Sequence, residues 1–399
     1  MGYIGEHLLP GQLGHFFIVL SLVASLVATF AYFKSSRSIV EADAAQWKKL
    51  ARYAFIIDVV SVFAIFGILF YIIHSHYFEY KYAWQHTSLS LEVKYMLASF
   101  WEGQEGSFLL WTFWHCIIGL VLMCTAKKWE APVMTMLSLA QFCLATMIIG
   151  IYFFGEKIGS NPFQLLRDSG VLDSAPALHL NFDVSRALIP DYMSSIKDGN
   201  DLNPLLQNYW MVIHPPVLFL GFASTIVPFA FAIAGLWKKK FGEWTRHALP
   251  WALFSAAVLG VGIMMGAAWA YESLTFGGYW AWDPVENASL VPWMVMIAGI
   301  HTLLIYKHSG HSLRATHLFF ILSFGLVLYA TFLTRTGILG DTSVHAFTGE
   351  GKTLVYHLQI FMGLMLIPAF VLFIINYKKI PAIHKEENGS SREFWMFIG

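Results

Sequence analysis

Apolar residues in this chain come in long blocks divided by short polar connectors. Runs of about 20 residues with little charge fall near 14–33, 53–73, 107–126, 132–154, 211–237, 247–268, 288–306, 317–334 and 355–377. A run of that length is what an α-helix needs to cross about 30 Å of hydrocarbon. The pattern predicts an all-α fold, a polytopic membrane helical bundle with about nine complete spans. A further apolar run opens at Phe394 and meets the last residue, Gly399, so the start of another, truncated span is expected there. There is no repeat of fixed period and no low-complexity tract.

Basic residues give the bundle a direction. Lys34, Arg37, Lys48, Lys49 and Arg52, then Lys127 and Lys128, then Lys238, Lys239, Lys240 and Arg246, then Lys307 and Arg314, then Lys378, Lys379 and Lys385 follow every second span. Lys and Arg near span ends stay on the cytoplasmic side. The N-terminus and the loops 74–106, 155–210, 269–287 and 335–354 are therefore expected outside. The first residues lack a basic n-region and an A-x-A site, so no cleavable signal peptide is expected. The expected organisation is a four-span membrane region over 1–154, an extracytoplasmic loop over 155–210, a core of spans over 211–377 that includes the aromatic segment 269–293, and a cytoplasmic linker with the start of a further span over 378–399.

Composition agrees: 57% of the 399 residues are hydrophobic, 13% are charged and the mean hydropathy is +0.58. Most soluble classes are excluded. A net charge of zero argues against a nucleic-acid partner, or a polybasic surface for anionic lipid. The membrane itself is the lipid partner. Cys116, Cys124 and Cys143 lie in apolar runs and read as buried small hydrophobes rather than a disulfide or metal site. No C-x-x-C-H occurs, so the chain does not attach a c-type haem to itself.

Chemistry then concentrates outside. Loop 155–210 is rich in Asn, Asp, Ser and Pro and reads as a semi-ordered cover. Residues 101–107, WEGQEGS, read as a cap or turn before a span. Most of the sixteen histidines sit in polar segments, such as the cytoplasmic turn holding His308, His311 and His317. Three have more specific settings. His214 precedes Pro215 and Pro216, which places its imidazole at the outer rim of the fifth span. His345 lies in the outside loop after the eighth. His301 is about 13 residues into the seventh span, roughly 20 Å below the outer surface, where an imidazole needs a partner and is a functional candidate. The alternatives are an interhelical hydrogen bond for His301 and ordinary rim histidines for the other two.

Between His214 and His345 lies GGYWAWDPVENASLVPW, residues 277–293. Trp269, Tyr271, Phe276, Tyr279, Trp280, Trp282 and Trp293 crowd one outside connection that holds no Lys or Arg, with Gly277 and Gly278 permitting close backbone approach. An aromatic belt accounts for a lone Trp but not for this density. Such a surface suits a large flat ligand held by stacking, with a metal at its centre ligated by two histidines. That ligand is haem.

The same segment resembles the tryptophan-rich WWD signature of haem-handling proteins of cytochrome c maturation, and D-P-V-E-N-A-S-x-x-P-W is similar to the CcmF haem lyase branch. WEGQEGSFLLW (101–111), HPPVLFLGF (214–222), TFLTRTGIL (331–339) with SVHAF (343–347), and SRE (391–393) resemble CcmF segments in the same order. The likeness covers essentially the whole chain. It implies a haem lyase of the bacterial cytoplasmic membrane, or the core subunit of one, with its active face periplasmic.

Implied by the resemblance are His214 and His345 on the iron of an extracytoplasmic haem, and His301 as one ligand of a b-type haem in the membrane. Implied partners are a haem chaperone, apocytochrome c, other maturation subunits and quinol. Asp283 and Glu286 are candidate contacts to haem or an accessory subunit, or an N-cap or turn before the seventh span. Arg335 is a candidate partner of a haem propionate, or an interfacial anchor. Phe276 and Tyr279 stand where the family commonly has tryptophans. The family's fourth histidine lies beyond SRE, so the second ligand of the membrane haem is expected past Gly399. Other classes of reading are a haem exporter and a non-catalytic haem- or quinol-binding assembly subunit.

Overall fold

The computed structural model describes every residue except 1–2, 175–178, 182–184, 189, 274–277, 340–351, 384–388 and 399. Its helices are α1 (Leu8–Arg37), α2 (Glu41–His74), α3 (Lys81–His86), α4 (Val93–Glu102), α5 (Gln104–Thr125), α6 (Glu130–Met147), α7 (Tyr209–Ser224), α8 (Ile226–Trp237), α9 (Thr245–Ser273), α10 (Pro284–Ser309), α11 (Leu313–Arg335), α12 (Lys352–Asn376) and α13 (Arg392–Ile398). Sheet among the described residues is confined to two small antiparallel hairpins, β1 (Ile151–Phe153) with β2 (Glu156–Ile158) and β3 (His179–Asn181) with β4 (Ser185–Leu188).

Among the described residues, eight segments are long and apolar enough to cross a membrane, α7 and α8 counting as one. Eight of the nine expected runs match them. The run at 132–154 does not: α6 stops at Met147 after 18 residues, about 27 Å, and residues 151–158 turn back as a hairpin. The α7–α8 segment breaks at Thr225 because Pro228 has no N–H for the carbonyl of Ser224, and Thr225 closes a tighter turn onto Phe222 O. Cys116 and Cys143 are buried as expected, whereas Cys124 is exposed near the end of α5.

Polar contacts sort the helix ends into two sets. At one end Arg52 grips buried Glu130 through Nε and Nη2, both at 2.6 Å, and donates to Met123 O. Lys128 pairs with Glu243 there, and Lys238 donates to Ser36 O. At the other end Gly11 N donates to the Tyr80 hydroxyl, and His7 meets Glu79 at 3.0 Å. Arg167 and Tyr192 both hold Glu6, so the described part of loop 155–210 is pinned over that face as an ordered cover. The basic ends assigned to the cytoplasm come together, and the ends assigned outside do likewise.

One core runs from Ile18 to Ile380. Within it α7 and α9 make a close backbone contact. A Cβ on Gly221 would lie 2.7 Å from Leu259 Cα, and one on Gly262 would lie 2.9 Å from Leu218 Cα. Small residues let two membrane helices touch backbone to backbone.

Candidate functional site

That contact sets the central imidazole. His214 Nδ1 lies 2.9 Å from the carbonyl of Gly262. A carbonyl can only accept, so Nδ1 carries the proton and the ring is held in the tautomer whose Nε2 lone pair ligates a metal. Gly266, one turn further along α9, leaves room beside the ring: a Cβ there would sit 2.9 Å from Cε1 and 3.2 Å from Nε2. Trp269 follows, its ring centroid 6.0 Å from that of His214 and tilted by 53°.

The sequence places His214 at the outer rim of the fifth span, in a run that opens at 211. In the structure α7 starts two residues earlier, at Tyr209, and carries His214, Pro215 and Pro216 inside it. Asn208 is the reason at the N-terminus, since its side chain accepts from Trp210 N at 2.9 Å and begins the helix early.

Around His214 opens a cavity of about 180 Å³. Phe108 and Trp111 of α5, Leu218 and Phe222 of α7, Trp269 of α9, and Tyr279 and Trp280 form its apolar walls, with Glu286 and Ser289 of α10 and Thr331, Thr334 and Arg335 of α11 as polar points. Arg335 is 9% exposed. The Trp280 indole N–H is buried and has no acceptor among the described residues.

The aromatic strap is fastened by the D-P-V-E-N run. Asp283 caps α10, accepting from Val285 N at 2.8 Å, and Pro284 takes the first helical position. Glu286 Oε2 reaches back to Ala281 N and Asp283 N at 3.0 and 3.1 Å, completing a capping box. Asn287 Nδ2 donates to Trp282 O and Asp283 O. These bonds hold Trp282 at φ +58°, a costly conformation for a bulky side chain. Gly278, at φ +138°, supplies the turn that only glycine adopts easily.

Of the residues singled out from the sequence, His214, Trp269, Tyr279, Trp280 and Arg335 line one cavity. Trp282, Asp283, Trp293 and Gly278 are not among its described lining. Trp282 is 70% exposed. Trp293 packs on α9, its Nε1 donating to Ala256 O at 2.8 Å beside Gly260. Asp283 acts as the N-cap of α10. His301 lies 17 residues into α10 from Pro284, about 26 Å along it, well past Ser289, the furthest α10 residue on the cavity wall. His345, Gly277 and Phe276 lie outside the described residues. Sequence reasoning missed Trp111 and Gly266. Glu286 was legible as the N3 partner of a capping box, whereas nothing local marks those two.

The donor set fits haem. Aromatic walls suit a porphyrin face, His214 is in the ligating tautomer, and Arg335 and the Trp280 N–H suit its carboxylates.

The sequence pattern of the cytochrome c assembly protein family matches residues 101–339, opening at Trp101. The cytochrome c-type biogenesis protein CcmF of Pseudomonas aeruginosa is 33% identical over 372 residues, 92% of this chain and 50% of that protein. NrfE of Haemophilus influenzae is 31% identical over 92% of this chain and 52% of its own, and CcmF of Escherichia coli is 32% identical over 76% and 42%. The chain spans about half the length of the curated relatives it matches. Its fold is similar to a solved cytochrome c heme lyase CcmF, with a TM-score of 0.70 at 23% identity over 98% of this chain and 53% of that one. With eight membrane-length segments among the described residues and bacterial relatives, it is a multi-pass inner-membrane protein.

Proposed function

Because the chain belongs to the cytochrome c assembly protein family, we propose that it serves cytochrome c maturation as a haem lyase or the core of one, holding haem while an apocytochrome is joined to it. The observation that carries this reading is the His214 tautomer at the wall of an aromatic cavity.

In this scheme His214 Nε2 takes one axial position on the iron of the substrate haem, and His345 takes the other. Trp269, Tyr279 and Trp280 stack on the macrocycle, and Arg335 pairs with a propionate. The histidine of the apocytochrome Cys-x-x-Cys-His replaces one axial imidazole. Each cysteine sulfur then bonds to one carbon of a vinyl group, and the thiol proton ends on the other carbon. No electron is gained or lost. The protein contributes chiefly by holding thiol and vinyl together, which turns a bimolecular step into an intramolecular one.

His301, deep in α10, is proposed as one ligand of a resident b-type haem that would keep the substrate iron ferrous, with quinol as electron source. A haem chaperone and other maturation subunits complete the scheme. An exporter would need polar groups lining a path through the spans. Asp58, the main exception among mostly apolar spans, is instead fully buried and bonded to Ser21 at 2.5 Å and Gln141 at 3.2 Å.

The test is haem staining and optical spectra of purified wild type, His214→Ala, His345→Ala and His301→Ala, with covalent cytochrome c yield measured alongside. Normal haem content and normal maturation in all three variants would defeat the proposal.

A further inference from the structure

The two prolines after His214 leave a gap in the helix that carries it. In an α-helix the carbonyl of Met211 accepts from the N–H of residue 215; here that residue is Pro215, which has none. Met211 is 6% exposed, so its carbonyl needs a donor from elsewhere. Trp101 supplies it: the indole Nε1 lies 2.8 Å from Met211 O, across 110 residues of chain.

Trp101 is itself rigidly presented. It sits in the last turn of α4, where Gly103 breaks the chain before α5 begins. A Cβ on Gly106 would fall 1.7 Å from Phe100 O, so the two helices meet at bare backbone. The Tyr82 hydroxyl donates to Phe100 O at 2.8 Å, and His86 is 2.7 Å from Glu102. Burial, reinforced by Glu105 and Glu102, pushes the Tyr82 phenol well above its ordinary value, which keeps it a donor.

We infer that Trp101 is a positioning residue for His214. Its indole replaces the backbone donor that Pro215 removes, and thereby sets where the first two turns of α7 stand over the cavity. The ring's orientation comes from Gly262 on α9; its placement along α7 comes from Trp101. The haem part of this inference rests on the reading given under Proposed function, whereas the backbone part does not.

Trp101→Phe keeps the ring and removes the donor. In the full chain, amide exchange over residues 209–214 without added haem should quicken about tenfold, and haemin affinity should fall about tenfold, roughly 1.4 kcal/mol. Adding Pro215→Ala restores a backbone N–H that can reach Met211 O, so the double variant should recover both to within about twofold. Unchanged exchange in Trp101→Phe, or exchange that the second substitution fails to slow, overturns the brace. If Trp101→Phe does not fold, recovery of a folded protein in the double variant supports the brace and its failure overturns it. His214→Ala separates the two ideas: if it binds haemin normally while exchange behaves as expected, the haem reading fails and the brace stands.

Discussion

Gly266→Ala offers a perturbation that should weaken ligand binding while leaving thermal stability nearly unchanged. The added methyl would lie 2.9 Å from His214 Cε1 and 3.2 Å from Nε2. Ordinary carbon contacts are about 3.5–4.0 Å, so the ring must retreat by about 0.6–1.1 Å. The hydrogen bond to Gly262 O starts at 2.9 Å, and a shift of that size along it takes it beyond the usual limit of about 3.2 Å. Losing it costs about 0.5–1.5 kcal/mol, and the ligating nitrogen also leaves its place beside the cavity. Against this, alanine is favoured over glycine in a helix interior by about 1 kcal/mol, and Gly266 lies well inside α9. Thermal stability should therefore stay within about 1 kcal/mol of wild type while haemin affinity falls about tenfold or more. Haemin titration followed in the Soret band, with unfolding measured in the same detergent, reads both. Wild-type affinity with an unchanged axial-ligand spectrum would refute the reasoning.

Glu286→Ala should release the strap without unfolding α10. It removes the acceptor for Ala281 N and Asp283 N, and loss of such capping costs about 0.5–2 kcal/mol, so amide exchange over 278–285 should quicken roughly tenfold; equal protection in the variant would show that the capping box does not hold Trp280. Arg52→Ala acts at the far end of the bundle. It removes the guanidinium donors from Glu130, which is 2% exposed while Arg52 is 43% exposed, at a cost of about 1–3 kcal/mol, so the unfolding temperature should drop while the haem spectrum of the remaining folded protein stays as in wild type, and an unchanged unfolding temperature would mean the pair contributes little.

Much of this molecule could be read along the chain. The spans, their direction and the crowded outer aromatics follow from hydropathy and from the placement of Lys and Arg, which act over one helix length. The capping box of Asp283 and Glu286 is equally local. Membership of the cavity was not readable in that way. Trp293 and Trp280 stand 13 residues apart in one motif, yet Trp293 packs on α9 while Trp280 lines the cavity. The orienting partner of His214 is a carbonyl 48 residues away, and the donor that completes its helix is 110 residues away. Periodicity reports which face of a helix is apolar. How far that helix is turned and slid against its neighbours depends on the glycine contacts of α7 with α9 and on a side chain from another helix filling a proline's gap, and those exist only once the helices have packed.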